Sequence, residues 1–270
     1  MQLTAEQVAE FDRNGFLVLP HFISDRECLE LRDHAAALEA ELRSDRDNVT
    51  VFSTGDQAHG DDSWFLESGD KTRGFFEADG TNLNKIGHAM HDLDPVFDRF
   101  ARQTGFAEVA EGIGFEDPRL VQSMYIFKHP GVGGEVTWHT DHTFLWTEPQ
   151  SVVGFWVAID DATKENGCLW AIPGLHKEPA KSRFVREGTS TTTEVYDESE
   201  YPTYRKVSIE AKRGTLVLLH GTLPHWSDVN HSDKPRQAYT LHIVDGAAEW
   251  DERNWLQRPD MPFRGFKGSQ

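Results

Sequence analysis

Trp138-His139-Thr140-Asp141 sets an imidazole and a carboxylate two residues apart. In an extended chain residues i and i+2 project to the same face, so this short stretch presents both groups together. With one further histidine they form the set that takes one face of a mononuclear non-haem Fe(II) ion and leaves three positions open. The bare pattern is weak: a chain with 13 His produces about one His-x-Asp by chance, and this one holds three. His59-Gly60-Asp61 lies in a Gly/Asp-rich stretch and His231-Ser232-Asp233 in a polar turn. Only His139 and Asp141 follow a strand-like apolar run, Val121 to Lys128, and a tight turn, Gly131-Val132-Gly133-Gly134.

The second imidazole has four downstream candidates, His220, His225, His231 and His242. His220 ends the run GTLVLLH and His225 follows the turn Gly221-Thr222-Leu223-Pro224, and periodicity does not choose between them. Arg236 opens the apolar run Gln237 to Val244. A buried guanidinium there needs an anionic partner, and a bound dicarboxylate would supply one through a bidentate pair. His142, directly after Asp141, reads as a pocket histidine rather than a ligand. Trp138 and Trp226 each adjoin a candidate ligand, whereas Phe144, Trp146 and Trp170 read as core.

These groups have to be held by strands. Runs near Val121 to Lys128, Val152 to Ile159, Cys168 to Ile172, Lys206 to Ile209, Thr215 to Leu219 and Gln237 to Val244 are apolar and bounded by turns. Helices precede them. Thr4 and Gln7 form a capping box before a helix over Ala5 to Asn14, closed by Gly15. Ser24 and Glu27 open a second helix with Leu31, Ala35, Leu38 and Leu42 on its buried stripe. A third is expected near Ile86 to Gln103, with Pro95 as a bend or a first turn. Residues Asp45 to Asn84 read as a long acidic, Gly-rich loop with short strands, and Phe184 to Tyr204 as a surface loop or a lid over the pocket. Helices first and strands later make a mainly β fold with flanking α-helices, a double-stranded β-helix (jelly roll, cupin-like), occupying 1–270 as a single domain.

Composition excludes several classes. A net charge of −18 argues against DNA or RNA and sits awkwardly with a bulky polyanion such as an acyl-CoA. No apolar run approaches the length of a membrane span and MQLTAEQVAEF does not read as a signal peptide. Cys28 and Cys168 suggest reduced thiols and a cytoplasmic protein.

At these residues the chain resembles the phytanoyl-CoA dioxygenase family of Fe(II)/2-oxoglutarate oxygenases, and most of all its domain-containing subgroup. The resemblance runs through Gln7 to Phe22, Asn84 to Ala89, Ser123 to Lys128, WHTD, Ala162 to Lys177, Gly214 to Val244 and NWLQ from Asn254. It implies Fe(II) held by His139, Asp141 and His225, because the family's distal histidine precedes its 2-oxoglutarate arginine by the spacing of His225 and Arg236. It also implies that Arg236, Lys85, Trp156, Ser227 and, less directly, Tyr125 contact 2-oxoglutarate. The implied activity is an O2-dependent oxidative decarboxylation yielding succinate and CO2, coupled to hydroxylation of a small organic substrate. Related halogenases carry a small residue in place of the carboxylate, so Asp141 points to hydroxylation. Many members have Gln between the two ligands where this chain has Thr140. Two other readings stay open: a divalent-metal (zinc) hydrolase using the same ligands, and a non-catalytic jelly-roll binding protein.

Overall fold

The computed structural model describes residues 2–44, 50–51 and 63–266. His59-Gly60-Asp61 and most of the expected 45–84 loop's first half lie outside them. In chain order the elements are α1 (Ala5–Asn14), β1 (Phe16–Leu19), α2 (Asp25–Ser44), α3 (Ser63–Leu66), β2 (Thr72–Phe76), β3 (Leu83–His88), α4 (Met90–Leu93), α5 (Pro95–Ala101) and α6 (Thr104–Gly112). Then follow β4 (Pro118–Ile126), β5 (Val136–His139), α7 (Asp141–Phe144), β6 (Thr147–Glu148), β7 (Val153–Ala158), β8 (Leu169–Ala171), β9 (Ser182–Glu187) and β10 (Ser190–Val195). The last are β11 (Val207–Ile209), β12 (Leu216–His220), β13 (His225–Ser227), β14 (Ala238–Asp245), β15 (Glu249–Trp250) and β16 (Arg264–Gly265).

Two antiparallel sheets carry the fold. The major sheet runs β1-β12-β7-β14-β4-β3-β2, with β16 added on β4, and the minor sheet runs β11-β8-β13-β5. This is the jelly roll that the strand pattern implies, with the helices packed on the major sheet. The main core lies between that sheet and the helices. Phe11, Cys28, Leu31, Phe97, Phe100 and Phe106 meet Tyr125, Phe155, Leu218, Tyr239 and Leu241 there. Strand alternation sends the other face of β4, β7 and β14 inward, toward the cavity between the sheets.

The helix expected over Ile86 to Gln103 breaks into three pieces. Leu83–His88 is strand β3, paired with both β2 and β4, and its buried Ile86 packs through the sheet. Pro95 begins α5, where Asp94 caps the helix by accepting from the Val96 and Phe97 N–H groups. Phe184 to Tyr204 is not a plain loop: β9 and β10 form a hairpin. Helix α6 carries no expectation from the sequence reading. Both cysteines are free and buried.

A buried ion cluster ties the C-terminal segment to the helices. The Asp92 side chain is buried and pairs with Arg258, with Arg102 at 2.6 Å and with the Arg264 Nε at 2.8 Å. Burial alone would raise its pKa, but the adjoining His91 and the arginines win and hold it far below the usual carboxylate range. A depressed folded-state pKa contributes stability that is fully present above the unfolded value, about 3.9, and is lost as pH falls below it. Asp92→Asn should therefore cost about 3–5 kcal/mol at neutral pH by stranding buried arginines. Urea melts at pH 7 and pH 3 check this, and the difference from wild type should shrink at the lower pH.

Candidate active site

The minor sheet builds the metal-ligand cluster. His225 of β13 and His139 of β5 are direct register partners, so their rings lie side by side with centroids 4.2 Å apart. Thr140 remains extended, and Asp141 begins the one-turn α7 on the same side as His139. One ligand atom from each of His139, Asp141 and His225 falls within 4.8 Å of the others. His139 Nδ1 lies 2.8 Å from the Thr137 carbonyl oxygen and His225 Nδ1 lies 3.0 Å from that of Leu223. In each ring an Nδ1–H donor leaves the Nε2 lone pair for a cation.

The electrostatics agree. Burial, then the neighbouring His225, lowers the His139 pKa to about 4, so its imidazole is neutral and ligand-competent at pH 7. Burial pushes the Asp141 carboxyl upward, but His242, His225 and His139 outweigh it and keep the group ionised. Asp141 Oδ2 is buried with no hydrogen-bond partner among the described residues. A buried bare carboxylate oxygen beside two imidazole lone pairs suits a divalent cation.

His242 Nε2 approaches Asp141 Oδ1 at 3.4 Å, yet His242 stands outside the three-residue cluster. Gly154 of β7 supplies the floor: a Cβ there would stand 2.8 Å from Asp141 Oδ2. Gly154→Ala should push the carboxylate out of place and weaken Mn(II) binding by roughly 10–100-fold, as loss of a ligand's support does. Titration calorimetry of the purified variant checks this.

Arg236 occupies the same cavity, of about 460 Å³. It is 1% exposed, with Nε donating to the Gly167 carbonyl at 3.0 Å and Nη2 reaching Ser227 Oγ at 3.5 Å. Its guanidinium carbon sits 5.6 Å from the Trp156 ring centroid. Nη1 is buried without a partner among the described residues, and burial lowers the pKa only to about 10, so the group stays cationic. Among the described residues no carboxylate pairs with it. Lys85, from β3, also lines the cavity, and burial lowers its pKa to about 7.

Of the residues singled out from the sequence, the three candidate ligands, Arg236, Lys85, Trp156 and Ser227 line one cavity, as do Trp138, Phe144 and Trp226. Tyr125 does not. It alternates to the helix-side core, where its hydroxyl donates to Gln237 at 2.6 Å; its neighbour Met124 faces the cavity instead. His242, one of the four histidine candidates, also faces the cavity, whereas Gln122, Met124 and Thr240 carry no sequence signal as site residues beyond strand alternation. His220 packs against His176 and bonds Thr222, away from the cluster. His142 stacks on Trp146 at 4.1 Å.

Comparison with known proteins then decides the class. The model of the phytanoyl-CoA dioxygenase (PhyH) family matches residues 11–238. The chain belongs to the phytanoyl-CoA dioxygenase family. It is 41% identical to "Phytanoyl-CoA dioxygenase" of Arabidopsis thaliana over 276 residues, covering 96% of this chain and 95% of that one. It is 39% identical to "Phytanoyl-CoA dioxygenase domain-containing protein 1" of Mus musculus over 283 residues, covering 97% of each. Among solved structures, EctD from S. alaskensis with 2-oxoglutarate and 5-hydroxyectoine aligns at TM-score 0.70 and 22% identity, covering 97% of this chain and 84% of that one. The carbocyclase SnoK from nogalamycin biosynthesis aligns at TM-score 0.64 and 19% identity, covering 92% and 86%. These two likenesses establish the shared fold. As a member of the phytanoyl-CoA dioxygenase family, the chain is a dioxygenase dependent on non-haem iron and 2-oxoglutarate. No helix among the described residues is long and apolar enough to cross a membrane.

Proposed function

We propose that His139, Asp141 and His225 hold Fe(II), that Arg236 pairs with the distal carboxylate of 2-oxoglutarate, and that the enzyme hydroxylates a small organic substrate. The observation that carries this reading is the buried, partner-poor Arg236 guanidinium in the same cavity as the three ligand atoms. An unpaired buried cation is costly, and a planar carboxylate satisfies its free N–H groups in a bidentate pair. Ser227 adds a hydroxyl beside Nη2, Lys85 a second donor, and Trp156 a flat wall for the diacid's methylenes. The zinc-hydrolase alternative leaves Arg236 and Lys85 without a role.

When bound, iron and 2-oxoglutarate supply an O2-dependent oxidation in which one oxygen atom enters succinate, CO2 leaves and the other enters a substrate C–H bond. The chain's work is placement. The β5–β13 pair fixes the two imidazoles, Gly154 and His242 seat the carboxylate, and the apolar walls exclude water from the reacting carbon. We further read residues 1–270 as one catalytic domain, with no nucleic-acid partner, working in the reducing cytoplasm where buried free thiols and Fe(II) persist.

Anaerobic titration calorimetry tests the reading. 2-Oxoglutarate should bind only after Fe(II) or Mn(II) is added, and aerobic Fe(II)-loaded enzyme should release succinate. Metal-independent binding of 2-oxoglutarate, or zinc-supported hydrolysis without succinate, would overturn it.

A further inference from the structure

Beyond the metal and diacid ends, the cavity opens into a chamber with an aromatic wall. Phe144 lies against His139 with ring centroids 6.2 Å apart, and Phe184 follows at 5.5 Å from Phe144. Phe65 comes next at 6.5 Å from Phe184, and Trp255 stacks on Phe65 at 4.1 Å. The wall therefore starts at an iron ligand, where a substrate carbon has to sit to react.

Charge is nearly absent from this chamber. The carboxylates, lysines and arginines lining the cavity are Lys85, Asp141, Lys181, Asp197 and Arg236. Three of them, Asp141, Arg236 and Lys85, are the groups assigned above to the metal and the diacid, with the Lys85 Nζ 5.5 Å from the Phe75 ring centroid. The other two, Lys181 and Asp197, neutralise each other in an ion pair at the mouth, and Lys181 also donates to the Ser199 carbonyl at 2.9 Å. Among the described residues no charge is left over to meet a charged substrate, and a buried ion without a partner is strongly disfavoured. The net charge of −18 works in the same direction against a polyanionic tail held outside the mouth.

Polar side chains also line the cavity, Gln122, Thr143, Thr240 and His88 among them. Gln122 of β4 is 6% exposed and lines the cavity beside its register partner His242. Its amide makes no hydrogen bond with any described residue. An amide can donate to a carbonyl or accept from a hydroxyl.

We propose that the substrate is an uncharged, largely apolar molecule bearing one hydroxyl or carbonyl group, which the Gln122 amide receives while Phe144, Phe184, Phe65 and Trp255 hold the rest. This rests on the metal and diacid assignments above and narrows them to a substrate class. It separates this enzyme from one built for a nucleotide thioester, the chemistry that its relatives' name carries.

Matched probes of one skeleton test it: 2-naphthol, 2-naphthoate and 2-naphthoyl-CoA, titrated calorimetrically into anaerobic full-length enzyme loaded with Mn(II) and 2-oxoglutarate. Titration of the Mn(II)-loaded enzyme with 2-oxoglutarate reports the diacid site first, so failure there is distinguishable from failure of the substrate class. The naphthol should bind at least about tenfold more tightly than either anion. Gln122→Leu should weaken the naphthol about tenfold by removing the amide that receives its hydroxyl. Equal or tighter binding of the naphthoate or the thioester overturns the proposal, as does the absence of saturable naphthol binding. Wild-type naphthol affinity in Gln122→Leu overturns the role of that residue.

Discussion

Asp141→Ala should reduce succinate formation to the background of metal-free protein, both with and without substrate, a loss of at least about a hundredfold. The magnitude follows from what the carboxylate does. It is the one anionic donor in the cluster, it is buried, and it stays ionised because three imidazoles face it. Without it, two imidazoles remain to hold a dication, and no other carboxylate joins them in the cluster among the described residues. Succinate quantified under Fe(II) saturation, beside a Mn(II) titration of the same variant, checks both parts. Near wild-type turnover would show that the ligand set has been misassigned. The fold should survive, since truncation removes a carboxylate whose Oδ2 has no partner among the described residues.

Arg236→Met should weaken 2-oxoglutarate binding by roughly 2–5 kcal/mol, the cost of removing one side of a buried charge pair. Its effect on stability has the opposite sign. In the ligand-free protein the guanidinium is fully desolvated with Nη1 unpartnered, so an apolar side chain of similar length should leave Tm unchanged or raise it. The shift in Tm that 2-oxoglutarate produces in wild type should vanish. Differential scanning with and without the diacid measures both. A variant that melts much earlier yet binds 2-oxoglutarate normally would mark Arg236 as structural.

Much of this site was legible because strands alternate. Arg236 stands out in the sequence as a cation at the head of an apolar run, and β14 then sends Thr240 and His242 to the same cavity. His139 and Asp141 are legible for the same reason. The choice between His220 and His225 is not, because both sit at strand ends next to turns, and only pairing decides which ring meets His139. Tyr125 shows the sensitivity of that periodicity. One residue of register separates the helix-side core from the cavity, and a motif match does not resolve a single step. The region from Ile86 misleads for a different reason. Ile86, Met90, Leu93, Phe97 and Phe100 recur at helical spacing, yet Ile86 belongs to a strand fixed on both sides by partners distant in sequence. The β9–β10 hairpin escapes because most of its residues are polar on both faces, leaving cross-strand pairing with no hydrophobic signature.

The placement of His139 and His225 opposite one another has a mechanical side. Strand β5 is four residues long, forms the outer edge of the minor sheet and is joined to β13 across a register irregularity. A cation gripped from both strands acts as a rivet through that seam. Stripping it with a chelator frees the rim of the reaction chamber, so demetallated enzyme should exchange its β5 amide hydrogens sooner than those of the central sheet, and the doorway would loosen before the scaffold does.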